Sequence, residues 1–143
     1  MLQQSYPYKN YPILFVDDEE PARFIFQLLF HNDFTIHTAQ DGEEALNVVK
    51  KCPEIILILS DQRMPRMDGI ELFKQVAQKR PKMINILVTA YADSTFTTDV
   101  NKQGNLFRFI KKPYDEEALK QVIIEGIKEG IKQSDLINKQ DNP

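Results

Sequence analysis

The chain has 143 residues, 42% of them hydrophobic and 27% charged, with a formal net charge of -3; this suits one compact core burying roughly two-thirds of the surface its unfolded form exposes. A mildly acidic chain with no basic run argues against direct attraction to nucleic acid or anionic lipid. The single cysteine, Cys52, rules out an intrachain disulfide framework and fits a reducing, cytoplasmic compartment, while the longest apolar run, Ile55 to Leu59, is far too short to span a membrane.

Residues 1–10 read as an N-terminal extension, residues 11–127 as one domain, and residues 128–143 as a helix extension or linker. Within the domain, short apolar runs at Ile13–Val16, Phe34–Ala39, Ile55–Leu59, Ile84–Val88 and Leu106–Ile110 have the β-branched and aromatic content of strands. Helical patterns separate them. Pro21 suits the first turn of a helix whose inward face is expected at Ile25, Phe26 and Leu29. A second helix follows Asp41-Gly42 with Ala45, Val48 and Val49 inward. A third follows Asp68-Gly69 with Ile70, Phe73, Val76 and Ala77 inward and an exit at Pro81. The fourth is weak: Ser94 can cap it, but Thr95, Thr97, Thr98 and Val100 are poor helix formers, so it depends on docking Phe96 and Val100. The fifth begins after Pro113, where Asp115, Glu116 and Glu117 suit the positive end of a helix dipole.

Regular β-α alternation implies parallel strands joined by right-handed crossovers, with helices on both faces. The first, third and fourth strands are almost wholly apolar, as strands covered on both faces must be, whereas Phe34-Thr35-Ile36-His37-Thr38 and Phe107-Arg108-Phe109 alternate and suit edges. This pattern matches an α/β, flavodoxin-like, doubly wound five-stranded parallel sheet of order 2-1-3-4-5 with five helices. Ligands of such sheets sit beyond the carboxyl ends of the strands. Asp17, Asp18, Asp61, Thr89 and Lys112 fall there.

Three carboxylates in one crevice repel unless a cation offsets them. Hard oxygen donors in an open cluster suit Mg²⁺, which prefers one or two carboxylates plus water and phosphate oxygens. Asp61 ends the central strand and is the best nucleophile for phosphorus, giving an aspartyl phosphate. Lys112 can meet the charge of the transferring group, and Thr89 offers it a hydroxyl.

Taken together, the segments ILFVDDEE, LSDQRMPRMDG, ILVTAYAD and FRFIKKPYD, in that order, resemble the motifs of the receiver domain of two-component response regulators, including chemotaxis receivers. The resemblance covers about Tyr11 to Ile127. It implies phosphorylation of Asp61 by a histidine kinase, phosphotransfer protein or small phosphodonor, with direct Mg²⁺ ligation by Asp18, Asp61 and the Arg63 backbone carbonyl and help from Asp17 through water. It further implies that Thr89 contacts the phosphoryl group, that Lys112 pairs with it next to a cis bond to Pro113, and that Phe109 is the switch aromatic. The surface of the fourth helix, last strand and fifth helix would then change to control an unknown output. Catalysis would be confined to the chain's own phosphorylation and dephosphorylation.

Arg63 and Tyr91, two residues past Asp61 and Thr89, are expected to flank the path of attacking water. Leu119, Ile123, Ile127 and Ile131, spaced by four, read as the core face of the last helix; alternatively its extension past Ile127 forms a dimer seam or a linker to an output domain, although Gly126 and Gly130 weaken such a helix. His31, His37 and Cys52 read as structural or surface residues. One competing class is a phosphorylation-independent interaction module, which is expected to lack part of the acidic set. Another is a turnover enzyme on the same sheet, but no Gly-rich phosphate loop follows the first strand.

Overall fold

The computed structural model describes residues 7–90 and 105–141. After a short 3-10 turn at Pro7–Asn10, the elements are β1 (Ile13–Val16), α1 (Glu20–Phe30), β2 (Ile36–Ala39), α2 (Gly42–Lys51), β3 (Leu57–Ser60), α3 (Gly69–Lys79), β4 (Ile84–Thr89), β5 (Leu106–Lys111) and α4 (Glu116–Asp141). The helix expected after Ser94, with Phe96 and Val100, lies outside the described residues, as does Tyr91; four α-helices stand among the residues described.

All five strands run parallel in the order β2-β1-β3-β4-β5, so the two alternating strands are indeed the edges. Because side chains of a strand point to alternate faces, β1 feeds two cores. Leu14 and Val16 join Ala45, Val49, Leu72, Phe73 and Val76 under α2 and α3. Ile13 and Phe15 join Phe26, Phe30, Leu119, Ile123 and Ile127 under α1 and α4.

Local chemistry sets the helix starts. Pro21 occupies the first turn of α1. The Asp41 and Asp68 carboxylates accept the Glu44 and Glu71 amides at 2.8 and 2.9 Å, and Asp115 accepts from Ala118 at 2.8 Å. Each such cap stabilises a helix by about 1 kcal/mol.

Two expected helix faces are corrected. In α1 Phe26 and Phe30 are buried and Leu29 packs partly buried against the same core, while Ile25 is 48% exposed. Phe26 stacks on Phe15 with centroids 4.0 Å apart and also meets Phe30, a contact that turns Ile25 outward. In α3 the buried set is Leu72, Phe73 and Val76, with Ile70 and Ala77 only partly covered.

The last helix, α4, has 26 residues and is therefore about 39 Å long, outrunning the sheet. Leu119, Ile123 and Ile127 are fully buried, and Ile131 packs partly buried against the same core. They form the core face of the helix. Gly126 and Gly130 sit on that face too: a Cβ at Gly126 would lie 2.5 Å from Leu57 Cδ1, and one at Gly130 3.0 Å from Ile56 Cδ1. The glycines let α4 approach the sheet closely. No described helix is long and apolar enough to cross a membrane.

Candidate functional site

Strand register assembles the site. Val16 and Ser60 are partners in the β1–β3 ladder, so Asp17 and Asp61 emerge side by side one residue later; the Asp61 amide donates to the Val16 carbonyl at 3.0 Å and the Asp17 amide to that of Ala39 at 3.1 Å. Thr89 ends β4 opposite Lys111. Its carbonyl accepts the Lys112 amide at 2.9 Å, tying the last residue of β4 to the lysine.

Carboxylate oxygens of Asp17, Asp18 and Asp61 lie within 4.8 Å of one another. Asp17 is fully buried, Asp61 half-buried and Asp18 exposed. Lys112 reaches in from beyond β5, its Nζ 2.9 Å from Asp17 Oδ2 and 3.4 Å from Asp61 Oδ2, while Lys111 is exposed, as expected for strand neighbours on opposite faces. The Lys112-Pro113 peptide is cis. Three oxygen donors at this spacing form an acidic cluster able to hold a metal ion, and hard divalent cations suit such donors.

Electrostatics follow from this packing. Burial raises the Asp61 pKa above the usual carboxylate value, and the Asp17 charge adds to it, against opposition from Lys112 and the Gln62 amide. For Lys112, burial alone lowers the pKa, but the Asp17 and Asp61 carboxylates outweigh it and raise it. The lysine is thus an ammonium throughout the neutral range. Burial also pushes up the Tyr114 hydroxyl.

Other predicted residues are less central in the geometry. Arg63 is exposed on the loop after Asp61, and Thr89 is fully buried. Phe109 lies opposite Leu87 in the β4–β5 ladder and packs partly buried against the core under α2 and α3.

Sequence reasoning missed Gln62 and Arg23. Gln62 is 8% exposed, although it looks like an ordinary polar loop residue. The Arg23 guanidinium, one turn into α1, donates to the Asp17 carbonyl at 2.7 Å and steadies the acidic loop. Gly69 is needed for packing: a Cβ there would lie 2.5 Å from the Asp61 carbonyl oxygen and 2.9 Å from Leu87 Cδ1. Gly69→Ala is expected to cost about 1–3 kcal/mol, because a backbone carbonyl cannot swing aside as a side chain can; the urea midpoint measures this.

Comparison with known proteins concerns the domain as a whole. The family model for the response regulator receiver domain matches residues 13–124. The chain belongs to that family. It is 32% identical over 124 residues to the transcriptional regulatory protein GlrR of Escherichia coli K12, covering 86% of this chain and 28% of that protein. Against the DNA-binding transcriptional regulator NtrC of the same organism it is 36% identical over 107 residues, covering 73% and 22%. The receiver thus spans only about a quarter of the length of these curated relatives. Among solved structures, one described as adenylate cyclase from Rhodopirellula baltica superposes with TM-score 0.88 at 28% identity, covering 93% of this chain and 98% of that one. The signal receiver domain of an HD domain-containing protein from Pseudomonas fluorescens Pf-5 gives 0.78 at 27%, covering 85% and 97%.

Proposed function

We propose that this receiver takes a phosphoryl group onto Asp61 in a Mg²⁺-dependent reaction and passes the change to an output. The observation that carries the reading is the asymmetric setting of Asp61. One carboxylate oxygen accepts the Gln62 amide at 2.7 Å, the other faces the Lys112 ammonium at 3.4 Å, and two further carboxylates stand beside it. An Asp61 oxygen forms the bond to phosphorus as the bond to the donor's leaving group breaks, the leaving group departing with the electron pair.

Lys112 meets the charge of the phosphoryl oxygens. Asp17, Asp18, Asp61 and the Arg63 carbonyl would hold Mg²⁺, which when bound neutralises part of that charge. Thr89 offers a hydroxyl at the end of β4, and through its carbonyl bond to Lys112 a shift at either residue is felt at the other. Phe109, partly buried in β5, is the aromatic that would respond, carrying the change to the surface around β5 and α4. The chain acts on itself alone, so it is a switch and not a turnover enzyme.

The phosphodonor is a histidine kinase or phosphotransfer protein in the cytoplasm, or a small molecule. Its docking face is supported by exposed apolar groups on α1: Phe24 is 67%, Ile25 48% and Leu28 60% exposed. Ile25 also lines a groove of about 500 Å³ with Leu29, Pro113 and Tyr114 that reaches Lys112. Residues 11–127 are the switch, and α4 beyond Ile127 is a connector toward whatever reads it.

Incubation with Mg²⁺ and acetyl phosphate tests the reading, followed by intact mass. One added phosphoryl group, mapped to the peptide containing Asp61 and lost when EDTA replaces Mg²⁺, is expected; an unshifted mass, or label on another peptide, overturns it.

A further inference from the structure

We infer that Gln62 is a positioning residue that orients the Asp61 carboxylate by clamping the loop after β3 to the first turn of α3; the inference rests on the reading of Asp61 as acceptor. Three polar groups of Gln62 are committed. Its amide donates to Asp61 Oδ1 at 2.7 Å, its carbonyl accepts the Gly69 amide at 3.0 Å, and its side-chain Oε1 accepts the Ile70 amide at 3.0 Å.

The first amides of a helix have no partner within it. In α3 those of Gly69 and Ile70 are both satisfied by Gln62, and that of Glu71 by Asp68. The residue is nearly buried, so water is a poor substitute for these bonds. Gly69 leaves room for the close approach: a Cβ on it would lie 3.2 Å from Gln62 Oε1.

Clamping matters because the terminal torsion of an aspartate is broad and two-fold, so its oxygens exchange freely unless something holds one. With both carbonyl groups of Gln62 tied to α3, its amide stays aimed at Asp61 Oδ1. The remaining oxygen is then presented toward Lys112. Holding a nucleophile in its attacking geometry is a large lever on rate, and small misplacements are costly.

The test compares wild type, Gln62→Met and Gln62→Glu in labelling by acetyl phosphate and Mg²⁺, with amide exchange of Ile70 read alongside. Met keeps the volume but offers only a weakly accepting thioether, so Ile70 is expected to exchange faster and the initial labelling rate to fall about tenfold. Glu keeps an acceptor where the α3 dipole favours it and is expected to label within about threefold of wild type. Met labelling at the wild-type rate overturns the role, as does Glu slowed as much as Met. Should Met fail to fold, wild-type Ile70 decides: exchange as fast as that of the exposed first-turn Glu117 overturns the clamp, and slow exchange with a Glu variant that labels normally supports it. Failure of the wild type to label at all is a separate result. It overturns the acceptor reading, whatever the Ile70 exchange shows.

Discussion

Asp61→Asn is expected to abolish labelling by acetyl phosphate while making the metal-free protein more stable at neutral pH. Loss of labelling follows from replacing a carboxylate nucleophile by an amide that cannot form the acyl phosphate bond. The gain in stability has a different origin. Burial raises the Asp61 pKa in the folded chain above its ordinary value, so the fold disfavours the ionised form. That cost is present above the folded pKa and vanishes below the unfolded one, where the carboxyl is protonated in both states. The advantage of Asn in EDTA is therefore expected to be full at pH 7 and to fade on acidification through the carboxylate range. Asn has one acceptor oxygen where Asp61 uses two, so it keeps the short bond from the Gln62 amide and gives up the long one from Lys112, whose ammonium still pairs with Asp17 at 2.9 Å. Added Mg²⁺ should reverse the order, since a ligand held only by the folded wild type stabilises it by about 2.7 kcal/mol at a hundred times its dissociation constant. Urea midpoints across pH, with and without Mg²⁺, measure both effects; an Asn variant no more stable than wild type in EDTA at pH 7 contradicts the account.

The acidic residues were legible because parallel topology converts strand ends into a place. Once Ile13–Val16 and the run before Asp61 are read as adjacent strands, Asp17 and Asp61 must emerge together, and the ladder pairing Val16 with Ser60 shows why. Lys112 was legible from its place just beyond β5. What could not be read is what depends on choosing between equivalent local options. Phe24-Ile25-Phe26 offers three successive apolar residues on α1, and only the stack of Phe26 on Phe15 selects the face. The strand expected to begin at Phe34 begins at Ile36, yet Phe34 is buried all the same. Its ring, 6.3 Å from that of Phe30, joins the core from a loop, which periodicity does not register. Gln62 was invisible for a related reason: its bonds run to Gly69 and Ile70, and nothing in a polar residue after a strand signals that α3 will start against it.

Both readable and unreadable parts meet in how charge is balanced. Asp17 is fully buried beside two other carboxylates; its Oδ1 accepts the Glu19 amide at 3.0 Å, and Lys112 supplies the cation at its Oδ2. The lysine side chain is 25% exposed and that of Asp17 1%. The pair is therefore neither a surface ion pair of little consequence nor one sealed from solvent.

Lys112→Met is accordingly expected to lower both stability and labelling. Removing one partner of a buried pair typically costs about 3–5 kcal/mol because the other charge is stranded; the partial exposure of Lys112 reduces this to about 2 kcal/mol. In the wild type the raised Lys112 pKa means that the pairing contributes fully at neutral pH and is lost only as pH climbs through its folded value, above the ordinary lysine range. The difference between wild type and Met should thus be flat near pH 7 and shrink in strong alkali. Mg²⁺ should restore part of the lost stability, because a divalent cation in the acidic cluster supplies the missing charge. Labelling should not recover with it. The ammonium meets charge that develops on the phosphoryl oxygens, and loss of one such donor slows a reaction about a hundredfold. Lys112→Arg separates the two roles: its charge is retained, so stability should return, but a planar fork cannot occupy the place of a compact ammonium between Asp17 and Asp61, so labelling should stay slow. An Arg variant that labels as fast as wild type would show that charge alone matters at this position and its placement does not.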